Sequence, residues 1–570
     1  MERASSHERS SRAHRANRIS RRAAAWLLAV VTAFAFAIRF CSYRVGLPDV
    51  FHSDYPQVGA AAHLLSEGHF VDVGSYPATH VYFYAGAYLL AYVCGMVTRA
   101  PWAGSWSSFC EELTHPAFQH SVARAYTAAV GALLCIAAYR LARVRFSRGI
   151  SLLASACVAV CPGLVIYSHQ ARIHVPGITF LVFAAVPALR CLDNPIGASG
   201  TPAARARLAW RAGVGAGFVA SIFQLGILWL GTYAGLVLLL VRPLRSAGGL
   251  LLRSAAGAIG TATVVYGLAH LPGVVRSGLG FGALDNLATL GIPTMTLGFR
   301  FVERAPAFVA HWIAAEPVRV AFCAGFLAAS WKLPQLRRDV LLLGLYPAAV
   351  LLVLGTNYVE VRYSLSVLPF VAPWIAAACL MPRSVVLRGF FSAAVLVAGL
   401  LGSTRYLWLI QESDTRQEVQ RLVPAFSEAG SSVAIDASLL LGSPELPRGV
   451  SLFPPRGDFK PWYFNGVKPA ETLKLVEPDL LLLPDADSSP LKERELTDAG
   501  YRRVGVLAAA PRGASFVPDA PPWIFPDLWR SIRRGPTVDL WARTPKGFAR
   551  VAAVLRPKGW EFAEPAPTHR

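Results

Sequence analysis

The residues able to do chemistry gather at the edges of apolar runs. Asp54 opens the stretch "SDYPQVGAAAHLLSEGHF", just past the first such run. His80 and Arg124 stand at the heads of two later runs, and Arg172 and His174 fall in "YSHQARIHVPGITF". Arg362 and Tyr363 belong to "YVEVRYSLSVLPF". One carboxylate with several arginines suits a reaction in which a base takes a proton and a fork of N–H donors holds an anionic oxygen group. Other roles are open to each residue. Asp54 is also placed to cap the helix that follows it. Arg124, Arg172 and Arg362 could anchor their spans at an interface, Arg362 could pair with Glu360, and either histidine could be a satisfied polar residue in a packed bundle.

The elements that position these residues are membrane spans. Of 570 residues, 54% are hydrophobic and 16% charged, whereas a soluble chain carries about 25% charged residues. The net charge of +21 falls in short gaps between apolar runs, at Arg140–Arg148, Arg205–Arg211, Arg242–Arg253, Arg337–Arg338 and Arg383–Arg388. That is the positive-inside pattern, and without interleaved aromatics it excludes a nucleic-acid surface. The nine cysteines all precede residue 380 and most lie in apolar runs, which argues against a disulfide framework or a zinc site. The Arg-rich N-terminus followed by the spanning run 23–40 reads as a tail and an anchor, not a cleaved signal.

With the arginine clusters taken as cytoplasmic, the chain threads outward at 23–40, inward at 121–139, outward at 150–167 and inward at 175–190. Residues 212–228 and 230–241 form an out-and-back pair. Then 250–268 go out, 308–330 return, 339–355 go out, 364–382 return and 387–403 leave for the last time. The stretch 78–97 breaks this alternation. It either enters the outer leaflet and returns or pairs with a further crossing, giving about 11–13 spans. Asp54, His80, Arg124, Arg172, His174, Arg362 and Tyr363 all come out on the external side. After residue 404 the apolar runs shorten and prolines and acids rise. "SSVAIDASLL" and "EPDLLLLPDA" read as buried strands, and "DTRQEVQRLVPAFSEAG" as a helix capped by Asp414 and stopped by Gly430. The expected fold is mainly α, a polytopic transmembrane bundle. It divides into a basic tail (1–22), a transmembrane domain (23–403) and a small extracytoplasmic α/β domain (404–570).

The order of these motifs resembles the GT-C superfamily of membrane glycosyltransferases, in particular the branch of protein O-mannosyltransferases and lipid A aminoarabinose transferases. "SDYPQVGAAAHLLSEGHF" is similar to that family's "D-E-x-x-Y…A-x-x-L-L-x-x-G", and "YPATHVYFYAG" to its "Y-P-P-L-H-Y-Y-L". "ARAYTAAVGALLCIAAYRLARVRF" is similar to its Arg-headed small-residue helix, "YSHQARIHVPGITF" to "Y-S-R-x-A-R/L-x-D-x-P", and "YVEVRYSLSVLPF" to "R-Y-x-L-x-x-L-P-F". The resemblance spans most of residues 24–380. Tyr55 and His174 stand where the family has acids, which weighs against a paired-carboxylate metal site.

The resemblance implies a sugar donor carried on a polyprenyl phosphate and a lipid, glycan or protein acceptor, with membrane lipids around the spans and no cofactor, a divalent metal not being favoured. Asp54 would be the catalytic base. Arg124, Arg172 and Arg362 would bind phosphate, and His80, His174 and Tyr363 would orient donor or sugar. The family pattern and Arg-heavy usage imply a bacterial inner membrane with the site facing the periplasm. A rival class is a transporter or flippase of lipid-linked saccharides. It predicts ionisable residues or broken helices at mid-membrane in matched halves. The span interiors are nearly free of charge and show no two-half symmetry.

Overall fold

The computed structural model describes residues 19–41, 43–44, 56–68, 79–193, 202–223, 225–241, 244–277, 312–313, 316–356, 364–411, 414–419, 433–436, 450–453, 478–484, 493–507, 537–543 and 561–562. The chain divides into two compact units, residues 1–43 with 54–404, and residues 44–53 with 405–570.

The first unit is helical. Helix α1 (Arg21–Phe40) starts where the Ser20 hydroxyl accepts the Ala23 N–H at 3.1 Å, the N-cap bond that short polar side chains supply. The short helix α2 (Pro56–Ser66) ends at Gly68, whose φ of +66° is the left-handed turn expected of a helix stop. Then come α3 (Thr79–Thr98), α4 (Trp106–Glu112), α5 (Pro116–Ala142), α6 (Arg148–Ala159), α7 (Pro162–Ser168) and α8 (His174–Asp193). Beyond them lie α9 (Pro202–Ile222), α10 (Leu225–Leu240), α11 (Leu244–Ser277), α12 (Pro317–Lys332), α13 (Pro334–Thr356), α14 (Leu368–Leu380) and α15 (Val385–Leu409).

Burial sorts these helices into inner and outer members. Helices α5 and α8 are buried over 67% and 78% of their apolar windows, while α1 and α15 are buried over only 17%. Trp26, Val30 and Phe34 of α1, and Val386, Phe390 and Leu401 of α15, stand exposed. In water such a surface is untenable, and against lipid tails it is the ordinary exterior of a bundle. Small residues let inner backbones meet. A methyl on Gly213 or Gly217 of α9 would collide with the Ser254 or Ala258 carbonyl of α11, the close approach that a small-xxx-small spacing permits.

Among the described residues six helices are long and apolar enough to cross a membrane: α1, α3, α5, α8, α11 over Arg245–Val265, and α15. The α6–α7 pair, bent by 54°, makes a seventh if it is one span, and Leu225–Leu240 and Leu365–Leu380 are shorter apolar helices. Two details of the threading change. Residues 150–167 are two helices rather than one rod, broken where Pro162 lacks the N–H to continue α6. The stretch that broke the alternation holds one unbroken helix, Thr79–Thr98, whose 20 residues are long enough to cross a membrane.

The second unit holds a six-stranded sheet of order β2-β1-β3-β5-β4-β6. Its strands are β1 (Val433–Asp436), β2 (Val450–Phe453), β3 (Leu480–Pro484), β4 (Arg502–Leu507), β5 (Val538–Ala542) and β6 (Glu561–Phe562). Strand β1 runs parallel to β2 and β3, and the β3–β5, β4–β5 and β4–β6 pairs are antiparallel. The runs expected as buried strands are β1 and β3, which are adjacent, with Ala434, Leu481 and Leu483 packed beside Leu496 of the short helix α16 (Glu493–Asp498). Asp414 does cap its helix. Its carboxylate accepts the Arg416 N–H at 2.9 Å, and the Gln417 side chain accepts the Asp414 N–H at 3.3 Å, a reciprocal capping box. Gly430 lies outside the described residues.

Candidate functional site

Four sequence-predicted residues come together where α1 ends, α3 begins, α9 ends and α8 begins. His80, second residue of α3, is fully buried, and its Nε2 lies 2.6 Å from the Ile222 carbonyl at the end of α9. A carbonyl only accepts, so Nε2 carries the hydrogen and the Nδ1 of the neutral ring is an acceptor. Thr79 also reaches this helix end, donating to the Ser221 carbonyl at 3.4 Å. His174, first residue of α8, is buried, its ring centroid 6.2 Å from that of Phe223 in an edge-to-face arrangement, so both histidines abut the same helix end.

Arg124 and Arg172 flank a shared buried cluster. Ala123 and Ala171, their neighbours in sequence, belong to one buried cluster with Val58 and Ala61 of α2 and Val81, Tyr84 and Tyr88 of α3. The Tyr88 hydroxyl lies 3.3 Å from the Val58 carbonyl, tying α3 to the start of α2. Arg124 and Arg172 are themselves buried, at 4% and 1% exposure, in a position where a guanidinium is retained only with polar partners. Arg124 donates to the Tyr43 carbonyl at 3.4 Å. His169, which follows α7, has Nε2 at 2.6 Å from the Cys41 carbonyl and Nδ1 at 2.9 Å from the Val165 carbonyl. Arg124 and His169 thus both grip the chain as it leaves α1 on the way to Asp54. Burial pushes the His169 imidazole down to about 4, opposed by its two carbonyl partners and reinforced by the charges of Arg124 and Arg39.

The break between α6 and α7 is a feature that sequence reasoning missed. A helix end leaves its last four carbonyls without helical partners, and here side chains from three other helices reach them. Arg319 of α12 donates to the Cys157 carbonyl at 2.9 Å, and Arg39 of α1 to Val158 at 3.0 Å and Ala159 at 2.8 Å. Ser403 of α15 donates to Val160 at 3.1 Å. Glu316 balances Arg319 at 2.6 Å and accepts from the Cys161 thiol at 3.2 Å. The break is therefore a built joint, and it sets where α7, His169 and Arg172 emerge. The one signal in sequence is "CPG" at 161–163 inside an apolar run, a turn dipeptide where a straight span was expected.

Asp54, Arg362 and Tyr363 lie outside the described residues, as does Glu360. Asp54 precedes α2 by two residues, and Arg362 and Tyr363 immediately precede Ser364, whose hydroxyl accepts from the Trp312 indole at 3.2 Å. Among the described residues no group of three or more His, Cys, Asp or Glu could hold a metal ion.

The opposite end of the bundle is built differently. Arg145, between α5 and α6, pairs with Asp193 at the end of α8 and with Asp339 near the start of α13. Arg338 donates to the Leu192 carbonyl at 2.9 Å and Arg148 to the Ile19 carbonyl at 3.0 Å. The 20 residues of α1 set these two ends about 30 Å apart, with Arg145, Arg148 and Arg338 at one and His80, Arg124, Arg172 and His174 at the other.

No protein-family model matches the sequence, and no curated protein matches it. Solved structures do. ArnT from Cupriavidus metallidurans, in the apo state, superposes with a TM-score of 0.51 at 13% identity, over 92% of this chain and 99% of that one. The chain thus has a fold like that of ArnT. The same ArnT bound to undecaprenyl phosphate gives 0.45 at 12% identity, over 92% and 98% of the chains. The archaeal oligosaccharyltransferase AglB from Archaeoglobus fulgidus, in complex with an inhibitory peptide and a dolichol-phosphate, gives 0.48 at 11% identity, over 86% and 73%. The chain is an integral membrane protein by its apolar helices and its fold.

Proposed function

We propose that this protein transfers a sugar from a polyprenyl-phosphate donor to a hydroxyl or amine of a lipid, glycan or protein acceptor on the extracytoplasmic face of a bacterial inner membrane. The observation that carries the reading is the gathering of His80, Arg124, Arg172 and His174 at one end of a bundle with the ArnT fold. The donor's isoprenoid keeps it in the lipid, so its phosphate surfaces at such an end. Arg124 and Arg172, with Arg362, receive the charge that develops on the phosphate as the bond from the anomeric carbon to oxygen breaks. The acceptor attacks that carbon from the opposite face, its proton passes to Asp54, and the configuration inverts. His174 and Tyr363 orient the donor. The leaving group departs as an anion and needs no strong acid.

The test is mass spectrometry of lipid-linked sugars and surface glycans in a deletion strain and its parent. An accumulating polyprenyl-phosphate sugar with a matching sugar missing from a glycan is the expected result. Unchanged pools would sink the transferase reading, and lipid-linked sugar trapped on the cytoplasmic leaflet would favour a flippase.

A further inference from the structure

Gln57 is an amide that the fold leaves unanswered. It sits in the first turn of α2, three residues after Asp54, and is fully buried. Neither its Oε1 nor its Nε2 has a hydrogen-bond partner among the described residues. The next residue, Val58, packs in the buried cluster that includes Val81, the neighbour of His80. His80 presents a second unanswered atom, since its Nε2 is committed to Ile222 and its Nδ1 has no partner among the described residues.

A buried polar atom without a partner destabilises the fold, and native proteins keep few of them except at functional positions. The chemistry of these two groups narrows the ligand. Nδ1 offers a lone pair, which repels a phosphate oxygen and accepts from a hydroxyl. The amide of Gln57 offers an acceptor and two donors side by side, the complement of a hydroxyl that both donates and accepts. Neither group carries charge. The arginines of the site suit an anion, and this pair suits a neutral polyol.

We propose that Gln57 and His80 are the residues that read sugar hydroxyls on the donor, while the arginines read its phosphate. The assignment rests on the transferase reading above and narrows the role of His80 from phosphate or sugar to sugar. It also makes a thermodynamic prediction that a structural role for Gln57 does not share. Replacing an unanswered buried amide by an apolar side chain of similar size stabilises the empty protein, whereas replacing a structural amide destabilises it.

The experiment is thermal melting of the full-length protein in detergent, for the wild type, Gln57→Leu and Gln57→Met. The probes are undecaprenyl phosphate and a panel of undecaprenyl-phosphate-linked pentoses and hexoses. The wild type is expected to be stabilised by the bare lipid phosphate and further by at least one sugar-bearing form. Both variants should melt higher than wild type when empty, respond equally to bare undecaprenyl phosphate, and bind the sugar-bearing form about tenfold more weakly than wild type. Variants that melt lower when empty and keep the sugar increment overturn the assignment, as does a wild type that gains nothing from any sugar. A wild type that responds to no lipid phosphate at all overturns the transferase reading itself, and the assignment with it.

Discussion

Two arginines, Arg145 and Arg39, at opposite ends of the bundle are held in opposite ways. At the end carrying the arginine clusters, Arg145 is met by two carboxylates, Asp193 and Asp339, with side-chain exposures between 8% and 24%. At the other end Arg39 is fully buried and held by three backbone carbonyls, those of Ala35, Val158 and Ala159, with no carboxylate on it among the described residues. A carboxylate cancels a guanidinium's charge, while carbonyl dipoles solvate it and leave its field in place. One end is neutralised for stability. At the other, Arg319 is cancelled by Glu316, while Arg39 beside it is solvated by carbonyls alone among the described residues.

The largest effect on transfer is expected at Asp54, the proposed base. Asp54→Asn is expected to lower transfer by about 10²–10⁴-fold, the range for loss of a general base, with normal abundance in the membrane. The check is a single-turnover assay on purified protein beside a quantitative immunoblot. Full activity in Asp54→Asn would remove Asp54 from the chemistry and leave the cationic end as a binding surface only.

Arg39→Leu separates solvated from cancelled charge. It deprives Val158 and Ala159 of their side-chain donors at the α6–α7 joint, at roughly 1–3 kcal/mol for each buried group left unsatisfied. The expected result is a lower melting temperature together with weaker transfer, because the joint positions His169 and Arg172. A variant that melts higher than wild type would mean that the buried charge is kept for a ligand and not for the joint.

The sequence made the site end legible through residues whose types are unusual beside apolar runs. His80, Arg124, Arg172 and His174 drew notice because polar groups at membrane depth need a reason, and the structure brings all four to the same set of helix ends. Arg39, Arg319 and Gln57 escaped. An arginine in the last turn of a span reads as an interfacial anchor, and only the packed structure shows Arg39 turned inward onto another helix's carbonyls. Gln57 is unremarkable in a helix pattern, because a missing hydrogen bond leaves no trace in sequence. The sheet shows the same limit. Strands β1 and β3 announce themselves by composition, but the insertion of β5 between β3 and β4 is a long-range pairing that no local pattern encodes.

A pH titration sharpens the contrast next. The folded-state pKa of His169, about 4, lies below the ordinary value of 6.5. Above pH 6.5 neither the folded nor the unfolded ring is charged. As pH falls through 6.5 the unfolded ring takes up a proton that the folded one refuses, so stability is lost between about pH 6.5 and 4 and levels off below that. The loss attributable to this one ring is a few kcal/mol. His169→Asn should flatten that part of the stability profile relative to wild type, and parallel profiles for the two proteins would show that the ring does not titrate with folding.

The smallest effect is expected at the cancelled end. Arg145→Met alone strands Asp193 and Asp339, but Asp193 is partly exposed and water takes over much of the lost pairing, so the cost is about 1–3 kcal/mol. Arg145→Met with Asp193→Asn and Asp339→Leu removes the charges together, and such replacements are often neutral because the desolvation of both partners disappears with their attraction. Transfer should survive in the triple variant once stability is restored, since nothing at that end touches the site some 30 Å away. Loss of transfer in a triple variant that melts like wild type would mean that the two ends are coupled through α8, which carries Asp193 at one end and His174 at the other.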